Sequence, residues 1–493
     1  MNPENALNDN AVMVRRRLAV ALLMAAIVFG CGGGTDYHAS GGIGGTGVSM
    51  GTVTDHGSIM VNGVRFDTQQ AQILVEGVPR GQGDADARAL LPVGREVVVY
   101  GRTTGATQGQ ADRVDTFHRV RGPLQSIATS SDADYPTLDV LGQTVILDAQ
   151  TRWHPDTTTV VGLPKGTILE VSGPVDGDGA VHAGHITVHT PDPSPARPVS
   201  LKGTVSGLDP EAMTFYINGQ QVDYSDVDNP GNTFPVDGAS VAITGQLQED
   251  ILLAETLAPF APEHFDHITD FALEGFLIEG LSSNRARLGA YTIHIDEQAT
   301  FFDGLQPQDL VPGVRLQARG RLQNRILQVD TIRAADRIQL VSMVEDVDAV
   351  NRTLTLRNMS PLLIRTDEAT RVLAGADRLE NIEIDDSVRV HAHIVGQSDV
   401  LAAIILVHPA PGNFPTRIYQ LEGPVTAIAG DRFDILEVPV DTTVNTGIHF
   451  YDIDEKTVSR EVFLADLTIG MRVRVTGRWH QGQLIIEAMV CVR

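Results

Sequence analysis

At 493 residues the chain exceeds what one hydrophobic core can hold, since single cores stop growing near ~250–300 residues. With 42% hydrophobic and 20% charged residues it has globular composition, which excludes wholesale disorder; 48 glycines, 25 prolines and only 5% aromatics favour many short strands over long helices. The net charge of −25, with Lys165, Lys202 and Lys456 the only lysines, argues against a nucleic-acid partner, because such partners are held mainly by Lys and Arg.

The N-terminal region reads as an export signal. Arg15-Arg16-Arg17 precede LAVALLMAAIVFG and Cys31, a basic segment followed by an apolar run too short for a stable membrane span. Residues 1–30 are therefore expected to be a signal peptide, with translation starting at Met1 or Met13. Val28-Phe29-Gly30-Cys31 resembles the lipobox of bacterial lipoproteins, although Phe29 stands where that box carries a small residue. The resemblance implies that Cys31 is acylated and becomes the mature N-terminus, and Gly32 after it implies an outer-membrane address. Each acyl CH₂ contributes ~0.8 kcal/mol to anchoring. Residues 31–50, rich in Gly and Ser, are expected to form a flexible tether.

Beyond the tether the chain repeats itself. Two glycines seven residues apart flank a strand in Gly94–Gly101, Gly166–Gly173, Gly238–Gly245, Gly313–Gly320 and Gly470–Gly477. Apolar pairs at alternate positions (Val97/Val99, Leu169/Val171, Val241/Ile243, Leu316/Ala318, Val473/Val475) put one strand face inward. A sixth, degenerate copy has Asp385 and Ala392 in the glycine positions and keeps Val388/Val390. Each unit opens with a short segment such as Gly51-Thr52-Val53 or Gly122-Pro123-Leu124, followed by a hairpin. In two hairpins Asn62-Gly63 and Asn218-Gly219 supply the positive φ that a type I′ turn requires.

The expected fold class is all-β: a tandem array of about six small five-stranded OB-like β-barrels after the signal and tether. Boundaries fall at 51–118, 119–190, 201–260, 273–336, 337–409 (the degenerate copy) and 418–493, with proline-rich joints at 190–198, 258–266 and 408–415. A helical turn is expected only in the last unit, around Ser459–Leu467. GGIGGTG (41–47), GSIMVNGVRFDT (57–68), DVLGQTVILDAQTRW (139–153) and VSGPVDGDGAVHAGHI (171–186) resemble a bacterial domain family of unknown function, number 5666. That resemblance implies an exported protein with tandem copies and brings no activity with it.

Candidate chemistry is sparse. His182, His185 and His189 share a strand, but 182 and 185 face opposite sides and 185 and 189 lie ~13 Å apart at 3.3 Å per residue, too far for one zinc. His391 and His393 share a face without a third ligand, and Glu263, His264, Asp266 and His267 sit in a linker. Asp176-Gly177-Asp178-Gly179 lacks the downstream acid of a calcium loop and reads as a turn. The motifs of serine hydrolases, phosphate loops and zinc proteases are missing. No catalytic residue, metal or cofactor is expected. Trp153 and Trp479 are the candidate ligand-binding residues, as rings that can stack on a sugar or anchor a protein contact. The expected role is structural or protein-interacting at the cell envelope, with an envelope glycan or small ligand as the alternative partner.

Overall fold

The computed structural model describes residues 47–492 apart from 55–58, 106, 130–135, 149–150, 156–159, 161, 190–197, 228–234, 261–264, 266, 303–304, 336–337, 368–369, 395–397, 409–417, 446, 453–455 and 481–482. The expected signal peptide, Cys31, most of the tether and most of the proline-rich joints lie outside those residues. Residues 45–493 form one compact unit.

The described chain is all-β, with two short helices. Its order repeats: an opening strand, a hairpin, a variable connection, the strand between the paired glycines, and a last strand. Residues 267–334 show the wiring. The opening strand His267–Ser282 pairs with the hairpin strand Arg285–Leu288, and that with Tyr291–His294. Tyr291–His294 runs parallel to the last strand, Ile326–Ala334; Arg315–Gln323 then pairs with both the last and the opening strands. Five strands thus close into a barrel around Leu277, Leu288, Ile293, Leu316, Leu327 and Ile332, all buried. Residues 338–408 close by the same sequence of pairings.

One pair of backbone hydrogen bonds recurs in all six units. The amide of the first paired glycine donates to the carbonyl of an apolar residue on the opening strand: Gly94 to Val53, Gly166 to Leu124, Gly238 to Val205, Gly313 to Leu277 and Gly470 to Val425, with Asp385 to Val344 in the degenerate copy. The same apolar residue donates its own amide to the residue that follows the glycine. The fifth unit therefore keeps the geometry although its glycines are gone.

The units are fused pairwise into three 13-stranded sheets. Units two and three join by an antiparallel contact (Leu201 opposite Val120), as do units five and six (Leu340 opposite Leu421). Unit one joins unit four, not its neighbour, and does so in parallel, with Val48 opposite Phe271 and Met50 opposite Leu273. Ile404 and Leu406 of the fifth unit enter the same core as Val48, Met50, Phe260 and Phe271, so several units share one apolar interior.

Several expected boundaries move. The first strand is Gly47–Thr52, so residues 47–50 are strand, because they complete the parallel contact with unit four, and the tether cannot extend to 50. Unit three opens at Val199, not 201, and unit four at His267, not 273. Ile251–Pro259 carries ladder pairing into the start of the expected 258–266 joint, and His267–Ser282 begins directly after it. The helix Arg460–Asp466 sits where a helical turn was expected, and a second one, Gly83–Leu90, occupies the corresponding connection of unit one.

Candidate functional site

The sequence candidates scatter. Trp153, on Arg152–His154, is half-buried against the core of units two and three. Trp479, on Arg472–His480, is half-buried against the core of units five and six, and its indole Nε1 is buried without a hydrogen-bond partner. The two rings belong to different sheets and form no common platform. His182 Nε2 lies 2.9 Å from Asp176 Oδ2, His185 is buried, and His189 Nε2 lies 3.4 Å from Glu170 Oε2, so each has its own environment. His391 is buried, while the side chain of His393 and residues Glu263, His264 and Asp266 lie outside the described residues; His267 opens a strand. Asp176 Oδ1 accepts from the amides of Asp178 and Ala180, spending that oxygen on its own turn. Among the described residues no group of three His, Cys, Asp or Glu is placed to hold a metal ion.

What the structure does assemble is a buried polar seam between units one, two and three. Glu76 stands in a tight turn of unit one (φ 52°), from which it reaches His118 in the connection to unit two. Glu76 Oε1 is 2.8 Å from His118 Nδ1, and its Oε2 is 2.7 Å from Lys202 Nζ of unit three. His118 Nε2 meets Ser200 Oγ, one strand position pair away from Lys202. Glu170 of unit two pairs with Arg95 of unit one and lies within reach of His118 and His189. Arg119 grips Glu96 through Nε (2.8 Å) and a terminal nitrogen (3.0 Å), and its guanidinium lies 5.3 Å from the ring centres of Phe117 and Phe260. Ser172 Oγ closes the seam, accepting from the Glu96 amide and donating to the Phe117 carbonyl.

The electrostatics follow from burial. Burial and the Lys202 ammonium hold the His118 imidazole below its ordinary value, outweighing the pull of Glu76. Burial pushes Glu76 up, but His118 and Lys202 overcome it and keep its carboxyl well below the usual carboxylate range. Burial likewise opposes ionisation of Glu170, yet His189, His118 and Arg95 bring it down to about 2. A neutral His118 therefore donates from Nδ1 to Glu76 and accepts the Ser200 hydroxyl at Nε2.

Glu76, His118 and Ser200 stand in the order used for acyl transfer. Their setting is different. Ser200 lies in a strand paired on both edges, opposite Thr244 and Arg121, and both Ser200 and His118 are buried. An acyl-transfer site needs room for the substrate and amides aimed at its oxyanion. The arrangement instead cross-links three units through paired charges. Sequence reading missed it because Glu76, His118, Glu170 and Ser200 come from four separate stretches whose register only the folded sheets define. The one available signal was polar Ser200 and Lys202 alternating with apolar Val199 and Leu201 on a strand whose polar face turns out to be covered.

Clefts open between units. One, of about 740 Å³, lies where units one to four meet and is lined by Arg119, Lys202, Asp176, Glu274 and Arg287 among others. A second, about 450 Å³, lies between units one and four. On its wall Arg319 holds Asp270 through two contacts of 2.7 and 2.8 Å and donates to Thr103 Oγ1 at 2.8 Å, a bond that crosses between the units. Arg333 lies with its guanidinium carbon 5.3 Å from the ring centre of Phe302.

Residues 121–187 and 422–485 match a family described as Domain of unknown function (DUF5666). These stretches are units two and six, so the domain recurs in tandem within the chain. No curated protein matches it.

Proposed function

We propose that this tandem carrier of the DUF5666 domain is a bacterial envelope lipoprotein whose six OB-like β-barrels act together as one rigid structural or protein-interaction body. The single observation that carries this reading is the fusion of the units into three continuous sheets, reinforced by the buried seam. Barrels that share sheets and charges cannot swing independently, so a partner meets a surface with fixed spacing and loses little conformational entropy on binding. The basic and apolar segment ahead of Cys31 supports export and acylation, which would place that body at the outer membrane. The role is non-enzymatic, and the acidity of the chain disfavours nucleic acid.

In-cell cross-linking of a tagged chain, followed by isolation from envelope fractions, tests the proposal. One protein partner captured at near-equal yield, and lost when Cys31→Ser releases the chain from the membrane fraction, is the expected outcome. Correct envelope location without any captured protein would sink the interaction role. The cleft between units one and four favours a second reading, binding of a glycan or small ligand, since its volume lies within the ~300–1,000 Å³ of small-molecule sites.

A further inference from the structure

We propose that the cleft between units one and four is a saccharide-binding site, sized for one or two sugar rings; this rests on the second reading above. Its walls come from the hairpin of unit one, including Asn62 and Phe66, and from the outer face of the barrel of unit four, including Phe302, Asp330 and Arg333. Four features select the ligand class.

Charge comes first. The wall carries two cations, Arg319 and Arg333, and two carboxylates, Asp270 and Asp330. Arg319 and Asp270 neutralise one another. Arg333 and Asp330 have no ion-pair partner among the described residues, which leaves one donor group and one acceptor group facing the same space. A simple anion or cation satisfies only one of them and is repelled by the other. A sugar hydroxyl both donates and accepts, so adjacent hydroxyls can serve both.

Second, Asn62 donates through Nδ2 to Ser49 Oγ and the Met50 carbonyl, both at 2.9 Å, and its Oδ1 is buried without a partner. These bonds fix the Asn62 side chain, so that part of the wall is held in place before a ligand arrives. Third, Thr103, Thr107, Thr269 and Thr331 add short hydroxyls along the same wall. Fourth, Phe302 is exposed and offers carbon surface to the C–H face of a ring.

The position has a structural basis. Unit one docks on unit four in parallel through its opening strand, and small residues (Gly47, Gly63, Gly101, Ala272, Gly320) line the gap that results. A chain whose barrels were merely strung in sequence would not have this cleft, because it is made only where the first unit meets the fourth.

Calorimetric titration of the purified full chain with maltose, cellobiose and N,N′-diacetylchitobiose tests the site, with citrate as a polyanion control. Saturable binding of at least one disaccharide, weakened about tenfold or more by Arg333→Ala and by Asp330→Asn, is expected, since each variant removes a charged hydrogen-bonding group. Arg333 is exposed, and unchanged hydrogen exchange in Ile326–Ala334 confirms that either variant is folded. Disaccharide binding indifferent to both variants would overturn the cleft assignment while leaving the small-ligand reading standing. No binding of the three sugars, or binding of citrate alone, would overturn the saccharide assignment itself.

Discussion

The two glycines of the repeat perform different tasks. The first takes positive φ in every intact copy, between 80° and 92° at Gly94, Gly166, Gly238, Gly313 and Gly470. In all five copies an added Cβ on the second would collide with a backbone carbonyl (Gln110 for Gly101, His182 for Gly173, Leu253 for Gly245, Gln328 for Gly320 and Ile485 for Gly477), and at Gly101, Gly245, Gly320 and Gly477 it sits at a bulge in the following ladder. Substitution should separate these tasks. Gly470 has open space around its missing Cβ, so Gly470→Ala should cost only the left-handed backbone penalty, ~1–2 kcal/mol. Gly320 does not take positive φ and carries no such penalty, but Gly320→Ala must move a strand away from Gln328 and should cost more, read as faster hydrogen exchange throughout Arg315–Gln323 than Gly470→Ala produces in Arg472–His480. Equal effects would show that the close approach to Gln328 costs no more than the left-handed backbone at Gly470. The degenerate copy agrees with this division, since Asp385 adopts φ 74°, which a short polar side chain tolerates, and Ala392 keeps the same register shift with the smallest side chain. Turns divide by legibility in the same way. Asn62-Gly63 and Asn218-Gly219 take positive φ at both residues, as their identities announce, whereas Leu436-Glu437 does so at 52° and 64° with residues that announce nothing.

At the scale of elements, the opening strand carries two duties that its sequence does not distinguish. In His267–Ser282 the first half pairs with unit one and the second half with its own hairpin, Leu277 opposite Leu288. Val120–Ala128 and Ile338–Asp348 divide alike, with Val120 opposite Leu201 but Leu124 opposite Val140, and Leu340 opposite Leu421 but Val344 opposite Leu356. Alternation of apolar residues reveals the strand and its inner face, so the units were readable. Which outer edge meets which unit depends on complementarity between distant strands, so the pairing of one with four was not. The helices show a similar split. Ser459 caps Arg460–Asp466 by accepting from the Val462 amide, a signal visible in sequence, while Gly83–Leu90 has no side-chain cap bond and was missed, despite Asp84 and Asp86 in its first turn and Arg88 in its last. Ser459→Ala should therefore cost ~1 kcal/mol locally and raise exchange in Arg460–Asp466. Because Phe463 of this helix is buried, a weakened cap should also loosen the nearby strand His449–Tyr451, whose Phe450 ring centre lies 5.2 Å from that of Phe463. Exchange unchanged in both segments would mean that packing of Phe463 alone holds the helix.

For the whole molecule, the seam makes cohesion of the first three units depend on pH, and the direction follows from its groups. The folded chain holds His118 below its ordinary value, so the unfolded chain takes up that proton more readily. Above about pH 6.5 the ring is neutral in both states and its contribution is complete; as pH falls below that value, stability is lost. Glu170 adds a second window. Its contribution is complete above the ordinary 4.5 and disappears as pH falls toward about 2, a difference on the order of 3 kcal/mol. Glu76 acts in the same sense. Exchange in Val199–Thr204 and Val120–Ala128, corrected for its intrinsic pH dependence, should therefore rise between pH 7.5 and 5.5, before any global unfolding. His118→Asn should flatten that first rise and leave the one below pH 4.5 in place. Lys202→Met should do more at neutral pH, because it strands the partly exposed Glu76 carboxylate beside a neutral imidazole. If Lys202→Met left exchange across the junction unchanged, the shared sheets alone would be holding the units together, with the buried charges merely accommodated between them.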